Sequence, residues 1–136
     1  GTLGLAFIDL DGFKAINDTY GHHAGDVLLS ELAQRFQETI RQEDTMARLG
    51  GDEFALLFHI SQTDEEYTNN INRLLKLANT PVSYKDNIQL QVSASVGISF
   101  YAPQNSVSIK ELITQADKAM YLAKGKGKNC FCVYEV

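Results

Sequence analysis

Two short acidic segments are the first candidates for chemistry in this chain. Asp9 and Asp11 follow the apolar run 3–8, which has the pattern of a buried strand, and Asp52 and Glu53 follow a pair of glycines between two further strand-like runs. If those strands are neighbours, the carboxylates meet at one edge of a sheet. Close carboxylates repel each other and are tolerated mainly where a cation neutralises them, and oxygen ligands favour Mg²⁺, Mn²⁺ or Ca²⁺ over zinc. Spacing alone leaves a second interpretation open, two solvated acidic turns.

Other motif types fit these residues less well. An EF-hand loop needs glycine at its sixth position, whereas Gly12 is the fourth residue counted from Asp9. The run 125–128, Gly-Lys-Gly-Lys, lacks the Ser or Thr that follows the lysine of a phosphate-binding Walker loop. Cys130 and Cys132 could bind zinc only with distant histidines, which is a weak pattern, and two cysteines are too few for a disulfide framework.

Composition restricts the class of protein. The chain has 136 residues, enough for one domain with a real core, and 44% of them are hydrophobic. Its net charge of −5 argues against general nucleic-acid binding, although residues 118–128 carry four lysines and no acid, so a local anion site is possible. We expect no direct membrane insertion, because the longest apolar stretch is 54–58, and we expect a reducing, cytoplasmic setting.

Hydrophobic periodicity predicts an α+β fold in which helices pack on a largely antiparallel sheet. Glycines at 50 and 51 predict a hairpin turn, since glycine tolerates a positive φ angle. Capping boxes at 63–66 and 108–111 each predict the start of a helix. The predicted strands are 3–8, 45–49, 54–60, 88–100 with a bulge at Gly97, and 130–136, and a further helix is predicted at 25–40.

The segment 50–54, Gly-Gly-Asp-Glu-Phe, is the GGDEF signature, and the chain resembles the diguanylate cyclase (GGDEF) domain family along nearly its whole length. Three further blocks agree with the family: FIDLDGFKAIND at 7–18, GHHAGD at 21–26 and ADKAMYLAK at 116–124. The resemblance implies a single domain over residues 1–136 that lacks the family's usual N-terminal helix and turn. It also implies a palm-like fold, as in nucleotide cyclases and polymerases.

The activity implied by the resemblance is the condensation of two GTP molecules into cyclic di-GMP, with release of two pyrophosphates. Asp9 and Asp52, helped by the Leu10 carbonyl, are similar to the family's ligands for Mg²⁺ or Mn²⁺. Glu53 is similar to a residue assigned either to a second metal or to proton removal. Each site is built for one GTP, so the resemblance implies a catalytic homodimer.

The resemblance also implies a GTP site. Asn17 and Asp26 are similar to the family's guanine-reading residues, although Asp26 could simply stabilise a helix N-terminus. The family commonly has arginine at position 128, so Lys128 offers a point charge in place of a bidentate group. The residues similar to phosphate contacts are Gly12, Phe13, Lys14, Lys124 and Lys128, of which the lysines could otherwise be ordinary solvated side chains.

Arg41 and Asp44, which lie shortly before the glycine pair, match the family's inhibitory RxxD site for the cyclic dinucleotide product. The alternative is a surface pair at a helix end, which contributes little stability.

A second function stays open beside the enzyme: a catalytically silent module that binds GTP or cyclic di-GMP, possibly attached to a phosphodiesterase domain. We expect a regulatory or sensor domain in the same chain outside this segment, and a full-length protein that could be membrane-anchored.

Overall fold

A computed structural model describes residues 2–60, 64–104 and 107–135. Its main sheet has five strands in the order β2-β3-β1-β6-β7, in which only the β6–β7 pair is parallel. A separate two-stranded sheet pairs β4 with β5. The strands are β1 (Thr2–Asp11), β2 (Thr45–Gly50), β3 (Glu53–Ile60), β4 (Val82–Tyr84), β5 (Ile88–Leu90), β6 (Ser93–Tyr101) and β7 (Cys130–Val133).

Helices cover both faces of the main sheet, which confirms the predicted α+β fold class and the largely antiparallel sheet. The main core holds residues of the second and third helices, and Phe36 meets Phe54 edge to face at 5.3 Å between ring centroids. The fourth helix packs on the opposite face against β1 and β6. The helices are α1 (Phe13–Tyr20), α2 (His22–Thr39), α3 (Asp64–Asn79) and α4 (Ile109–Gly125).

Alternate side chains of β1 point to opposite faces of the sheet, so the strand places core residues on one face and the candidate site residues on the other. Ala6, Ile8 and Leu10 point into the main core, while Leu5 packs under α4 with Phe7 beside it. The acidic residues at positions 9 and 11 continue the α4 face. The carboxylates therefore lie between the sheet and the C-terminal part of α4.

The predicted strand at 88–100 is wrong, because the chain changes partner in the middle of it. β5 pairs with β4, residues 91 and 92 belong to no strand, and β6 then pairs with β1. The alternation of apolar residues runs through this break, and it does not show which strand each half pairs with.

The predicted bulge at Gly97 is also wrong. Gly97 pairs in register with Phe7 on one side and Cys132 on the other. A side chain at this position would overlap the backbone of Ala116 and Met120, so the glycine allows α4 to approach the sheet closely.

The remaining differences are one helix that was not predicted and small shifts at the ends of other elements. The sequence missed α1, which buries one residue, Ile16. Helix α2 begins three residues earlier than predicted and ends one residue earlier, at Thr39. The Ser108 cap is confirmed, since its side chain accepts a hydrogen bond from the backbone N of Glu111 at 3.1 Å, whereas Thr63 of the other capping box lies outside the described residues. The last strand ends at Val133 in the structure.

No described helix has the length and apolar character needed to cross a bilayer.

Candidate active site

The two acidic segments meet where β1 and β3 run side by side. Asp9 is the cross-strand partner of Glu53, so their side chains share the α4 face. The backbone N of Leu10 donates to the carbonyl of Asp52 at 3.1 Å, and the Asp52 carboxyl lies close enough to Asp9 for the two charges to interact. The structure thus brings the Asp9 carboxyl group together with those of Asp52 and Glu53, which lie 43 and 44 positions later in the sequence.

The turn that presents Asp52 is held by an arginine that sequence reasoning missed. Arg48 donates to the carbonyl of Gly51 from Nε at 3.1 Å and from Nη2 at 2.9 Å. Both turn glycines have positive φ angles, 147° at Gly50 and 49° at Gly51, which L-residues rarely adopt. An arginine two residues before a glycine pair is the local signal that could have indicated this bond.

Negative charge accumulates at this edge of the sheet. Burial and the neighbouring Asp9 raise the pKa of Asp52 above its ordinary value. Burial also raises the pKa of Glu53, with further contributions from Asp9, Asp52 and Asp117. The group of carboxylates therefore favours a bound cation.

Lys124 of α4 supplies a positive charge to this group. Its Nζ lies 2.9 Å from Oδ2 of Asp9 and 3.2 Å from Oδ1 of Asp11. Burial by itself lowers the pKa of Lys124, but hydrogen bonds and charge from these two aspartates raise it overall. The lysine is therefore held as an ammonium between the two carboxylates.

Asp11, unlike Asp9, is surrounded by hydrogen-bond donors. Its carboxylate accepts from Ser93 Oγ and Ser95 Oγ, both at 2.8 Å, and from the backbone N of Asn129 at 3.4 Å. Burial alone raises the pKa of Asp11, but the bonds from the two serines, Lys124 and Asn129 together lower it below 3.8. Asp11 thus ties β1 to β6 and to the turn after α4. Two serines two positions apart at the start of β6 are the sequence signal for this cluster.

The donor set at the edge of the sheet fits a magnesium-like ion. It consists of the carboxylates of Asp9 and Asp52 and the carbonyl of Leu10, which points to the same side of β1 as the Leu10 N–H group that bonds Asp52. Within the described ranges, no group of three or more His, Cys, Asp or Glu side chains, Cys130 and Cys132 included, is placed to hold a metal ion by itself. Mg²⁺ is usually held by one or two carboxylates together with substrate phosphates, so an open site suits it.

The predicted phosphate-binding residues lie where β1 turns into α1. Gly12 adopts a φ of 86° and α1 begins at Phe13. The first amides of a helix have no acceptor within the helix, which leaves them free to face an anion. Lys14 is exposed on this first turn.

The predicted guanine-reading residues lie at the contact between α1 and α2. Asn17 Oδ1 is buried and has no hydrogen-bond partner among the described atoms. Gly25 of α2 packs directly against that oxygen, and Asp26 is exposed on the next position. A buried acceptor without a donor is uncommon and is consistent with a ligand group that supplies one.

Lys128 lies apart from the carboxylates. It is exposed in the turn after α4, with a φ of 65°, and its backbone N donates to the carbonyl of Ala123 at 3.1 Å. In the described part of the chain its side chain makes no ion pair with Asp9 or Asp11, whereas that of Lys124 contacts both.

Arg41 and Asp44, the residues of the predicted inhibitory site, lie at the far end of β2, roughly 20 Å from Asp52 at the usual rise of a strand. The backbone N of Arg41 donates to Asp44 Oδ2 at 3.2 Å, and the backbone N of Asp44 donates to the Arg41 carbonyl at 3.1 Å. The Arg41 guanidinium contacts Glu66 and lies 3.8 Å from Glu43. Asp44 Oδ1 is buried without a partner among the described atoms.

Comparison with known proteins gives a consistent result. The family model described as "Diguanylate cyclase, GGDEF domain" matches residues 1–130. A curated relative from Pseudomonas aeruginosa, named bifunctional diguanylate cyclase/cyclic di-GMP phosphodiesterase MucR, is 45% identical over 131 residues. That match covers 96% of this chain and 19% of the relative, so the chain spans about a fifth of the relative's length.

Solved structures show the same fold. The GGDEF domain of YfiN (TpbB) from Pseudomonas aeruginosa has a TM-score of 0.90 at 34% identity, with 99% of this chain and 83% of that chain covered. The GGDEF domain of DgcB from Caulobacter crescentus, solved in complex with c-di-GMP, has a TM-score of 0.88 at 26% identity, covering 99% of this chain and 79% of that one.

Proposed function

Since the chain belongs to the diguanylate cyclase GGDEF domain family, we propose that it condenses two GTP molecules into cyclic di-GMP and releases two pyrophosphates. The observation that carries this proposal is the meeting of Asp9 and Asp52 beside Lys124, at the edge of the sheet where β1 and β3 pair.

The reaction joins the 3′-oxygen of one GTP to the α-phosphorus of the other. A divalent cation, Mg²⁺ or Mn²⁺, held by Asp9, Asp52 and the Leu10 carbonyl would acidify the attacking hydroxyl and neutralise charge on the leaving pyrophosphate. Two roles fit Glu53, which is exposed beside Asp9: it can accept the proton of the 3′-hydroxyl or ligate a second ion.

The remaining predicted residues bind and orient GTP in this proposal. The amides at the start of α1 and the Lys14 ammonium face the triphosphate, and Lys124 adds a second positive charge from α4. Asn17 and Asp26 take the guanine base, because their oxygens can accept from its N1 and N2 donors, a pattern that adenine lacks.

Catalysis requires two copies of the chain in this proposal. One site presents a single GTP, so the second α-phosphate and the second 3′-hydroxyl come from a facing protomer. The rate per protomer should therefore rise with protein concentration until the dimer is saturated.

Product inhibition is proposed for the site at Arg41 and Asp44. The guanidinium suits a phosphate or a guanine edge, and the unpartnered Asp44 Oδ1 lacks a donor that guanine could supply. This site lies at the opposite end of β2 from the carboxylates, so an occupant there would regulate and not react.

A second function is favoured by the 45% identical relative, which is named for both cyclase and phosphodiesterase activities and is a much longer protein. In such a setting the domain could bind GTP or cyclic di-GMP without turnover and control an attached phosphodiesterase.

One experiment separates these proposals. Protein at concentrations that span its dimerisation is incubated with GTP and Mg²⁺ or Mn²⁺, and cyclic di-GMP and pyrophosphate are quantified by chromatography. We expect both products, and we expect Asp52→Asn to lower the rate by about a hundredfold or more. Asp86→Asn is the matched control, because Asp86 lies in the turn between β4 and β5 with a φ of 61°, which asparagine tolerates. GTP binding by a confirmed dimer without product would favour the silent module.

A further inference from the structure

We propose that Lys124 is an exchangeable counter-ion of the candidate metal site: its ammonium neutralises Asp9 in the ligand-free protein and releases Asp9, while staying on Asp11, when a divalent cation binds. This inference rests on the proposed function, because it concerns the same cation site. It adds a specific role for a lysine that would otherwise be described as a phosphate contact only.

The geometry places Lys124 where it must compete with a metal. Its Nζ is 2.9 Å from Asp9 Oδ2, which is a full ion pair with a carboxylate of the proposed donor set. A carboxylate oxygen that accepts from an ammonium has less charge to offer a metal. Binding of a divalent cation therefore has to weaken this ion pair.

Asp11 gives the lysine a second anchor that is not a metal ligand. The Asp11 carboxylate is fixed by Ser93 and Ser95 at 2.8 Å each, and it lies 3.2 Å from Lys124 Nζ. Because Asp11 is buried and held by these donors, its position does not depend on the metal site. The ammonium can leave Asp9 and remain paired.

The charges explain why such an exchange is useful. Asp9 is the cross-strand partner of Glu53, and Asp52 directly precedes Glu53, so three negative charges lie close together and repel one another. The lysine relieves part of that repulsion before any ligand arrives. Once a divalent cation takes Asp9, the ammonium is next to the incoming triphosphate, so metal and nucleotide should bind cooperatively.

The test measures Mn²⁺ binding to the whole chain without nucleotide, by electron paramagnetic resonance of free Mn²⁺. We expect Lys124→Met to bind Mn²⁺ about fivefold or more tightly than the wild type, because a competing positive charge is lost. Lys118→Met is the matched control: it removes the same charge from an exposed position on α4 and should change the affinity less than about twofold. Lys124→Arg keeps the charge and should stay close to the wild type.

A measurement on the wild type guards against a variant that fails to fold. In a Mg²⁺ titration without nucleotide, the ¹³Cε signal of Lys124 should shift more than that of any other lysine. Adding a GTP analogue with a methylene bridge between the α- and β-phosphorus should tighten Mn²⁺ binding more in the wild type than in Lys124→Met.

The outcomes distinguish this inference from the proposed function. If Asp52→Asn abolishes Mn²⁺ binding but Lys124→Met binds no tighter than Lys118→Met, the metal site stands and the exchange is refuted. A Lys124 signal that does not move as Mg²⁺ saturates the site also refutes the exchange. If neither the wild type nor any variant binds Mn²⁺ with or without the analogue, the metal site fails and this inference fails with it.

Discussion

Asp9 and Asp11 lie two residues apart on the same face of β1, yet their carboxylates have opposite surroundings. Asp11 is 7% exposed and accepts hydrogen bonds from two serines, a lysine and a backbone amide. Asp9 pairs with Lys124 and faces the carboxyl groups of the hairpin turn. One aspartate is therefore built into the fold, and the other is left available to a ligand.

We predict that Asp11→Asn lowers the free energy of unfolding by about 1 to 3 kcal/mol at pH 7, because charge-assisted bonds to a buried group are lost. The folded-state pKa of Asp11 is lower than 3.8, so its stabilisation is complete above that value and is lost as the pH falls through the folded pKa. Urea unfolding from pH 7 to pH 3 measures this. The difference between variant and wild type should shrink with acid, and a constant difference would contradict the assigned cause.

Asp52→Asn should have the opposite effect on stability and make the ligand-free protein more stable. Burial and Asp9 raise the folded-state pKa of Asp52 above 3.8, so its ionised form destabilises the ligand-free fold at neutral pH. We predict that Asp52→Asn raises the melting temperature at pH 7 by about 1 to 4 °C. Because the wild-type carboxyl becomes protonated as the pH falls through its raised pKa, the gain should shrink with acid and vanish once the carboxyl is protonated in both the folded and the unfolded chain. A lower melting temperature at pH 7, with Asp86→Asn unchanged, would contradict the prediction.

Much of the site could be predicted from the sequence because its signals are local. The glycine pair at 50 and 51 predicts a tight turn from backbone freedom alone, and an acidic residue at the end of a buried strand predicts a carboxylate at the edge of the sheet. The capping residue Ser108 acts within one helical turn, so its prediction needed no tertiary structure.

What the sequence did not show depends on contacts between distant segments. Asp11 meets Ser93 and Ser95 from positions 82 and 84 residues away, which only the β1–β6 register reveals. Considered within its own strand, Gly97 predicts a bulge. The structure shows a different reason for the glycine, because a side chain there would overlap the backbone of α4. Helix α1 was missed because eight residues with one buried side chain give little periodicity.

The contact between Gly25 and Asn17 gives a prediction on nucleotide affinity. A Cβ at Gly25 would overlap Asn17 Oδ1, the end of a side chain that can rotate away. We predict that Gly25→Ala raises the KM for GTP about tenfold with little change in stability, since the amide loses its position towards guanine. Asn17→Ala should have a similar effect, and the double variant should be no worse than either single one, because both act through the same side chain. Additive losses in steady-state kinetics would show that Gly25 acts by another route.

The site at Arg41 and Asp44 gives a prediction on feedback. The Arg41 guanidinium is already paired with Glu66 and lies near Glu43, so a cyclic dinucleotide bound at the proposed site would compete with these carboxylates for it. We predict that Arg41→Ala raises the concentration of cyclic di-GMP needed for half-inhibition at least tenfold, because a charge-assisted contact is lost. The initial rate should stay within about twofold of the wild type, since Arg41 lies at the far end of β2 from the carboxylates. Lys110→Ala, which removes an exposed positive charge on α4, should leave the inhibition unchanged. An Arg41→Ala variant with wild-type inhibition would show that the product acts elsewhere.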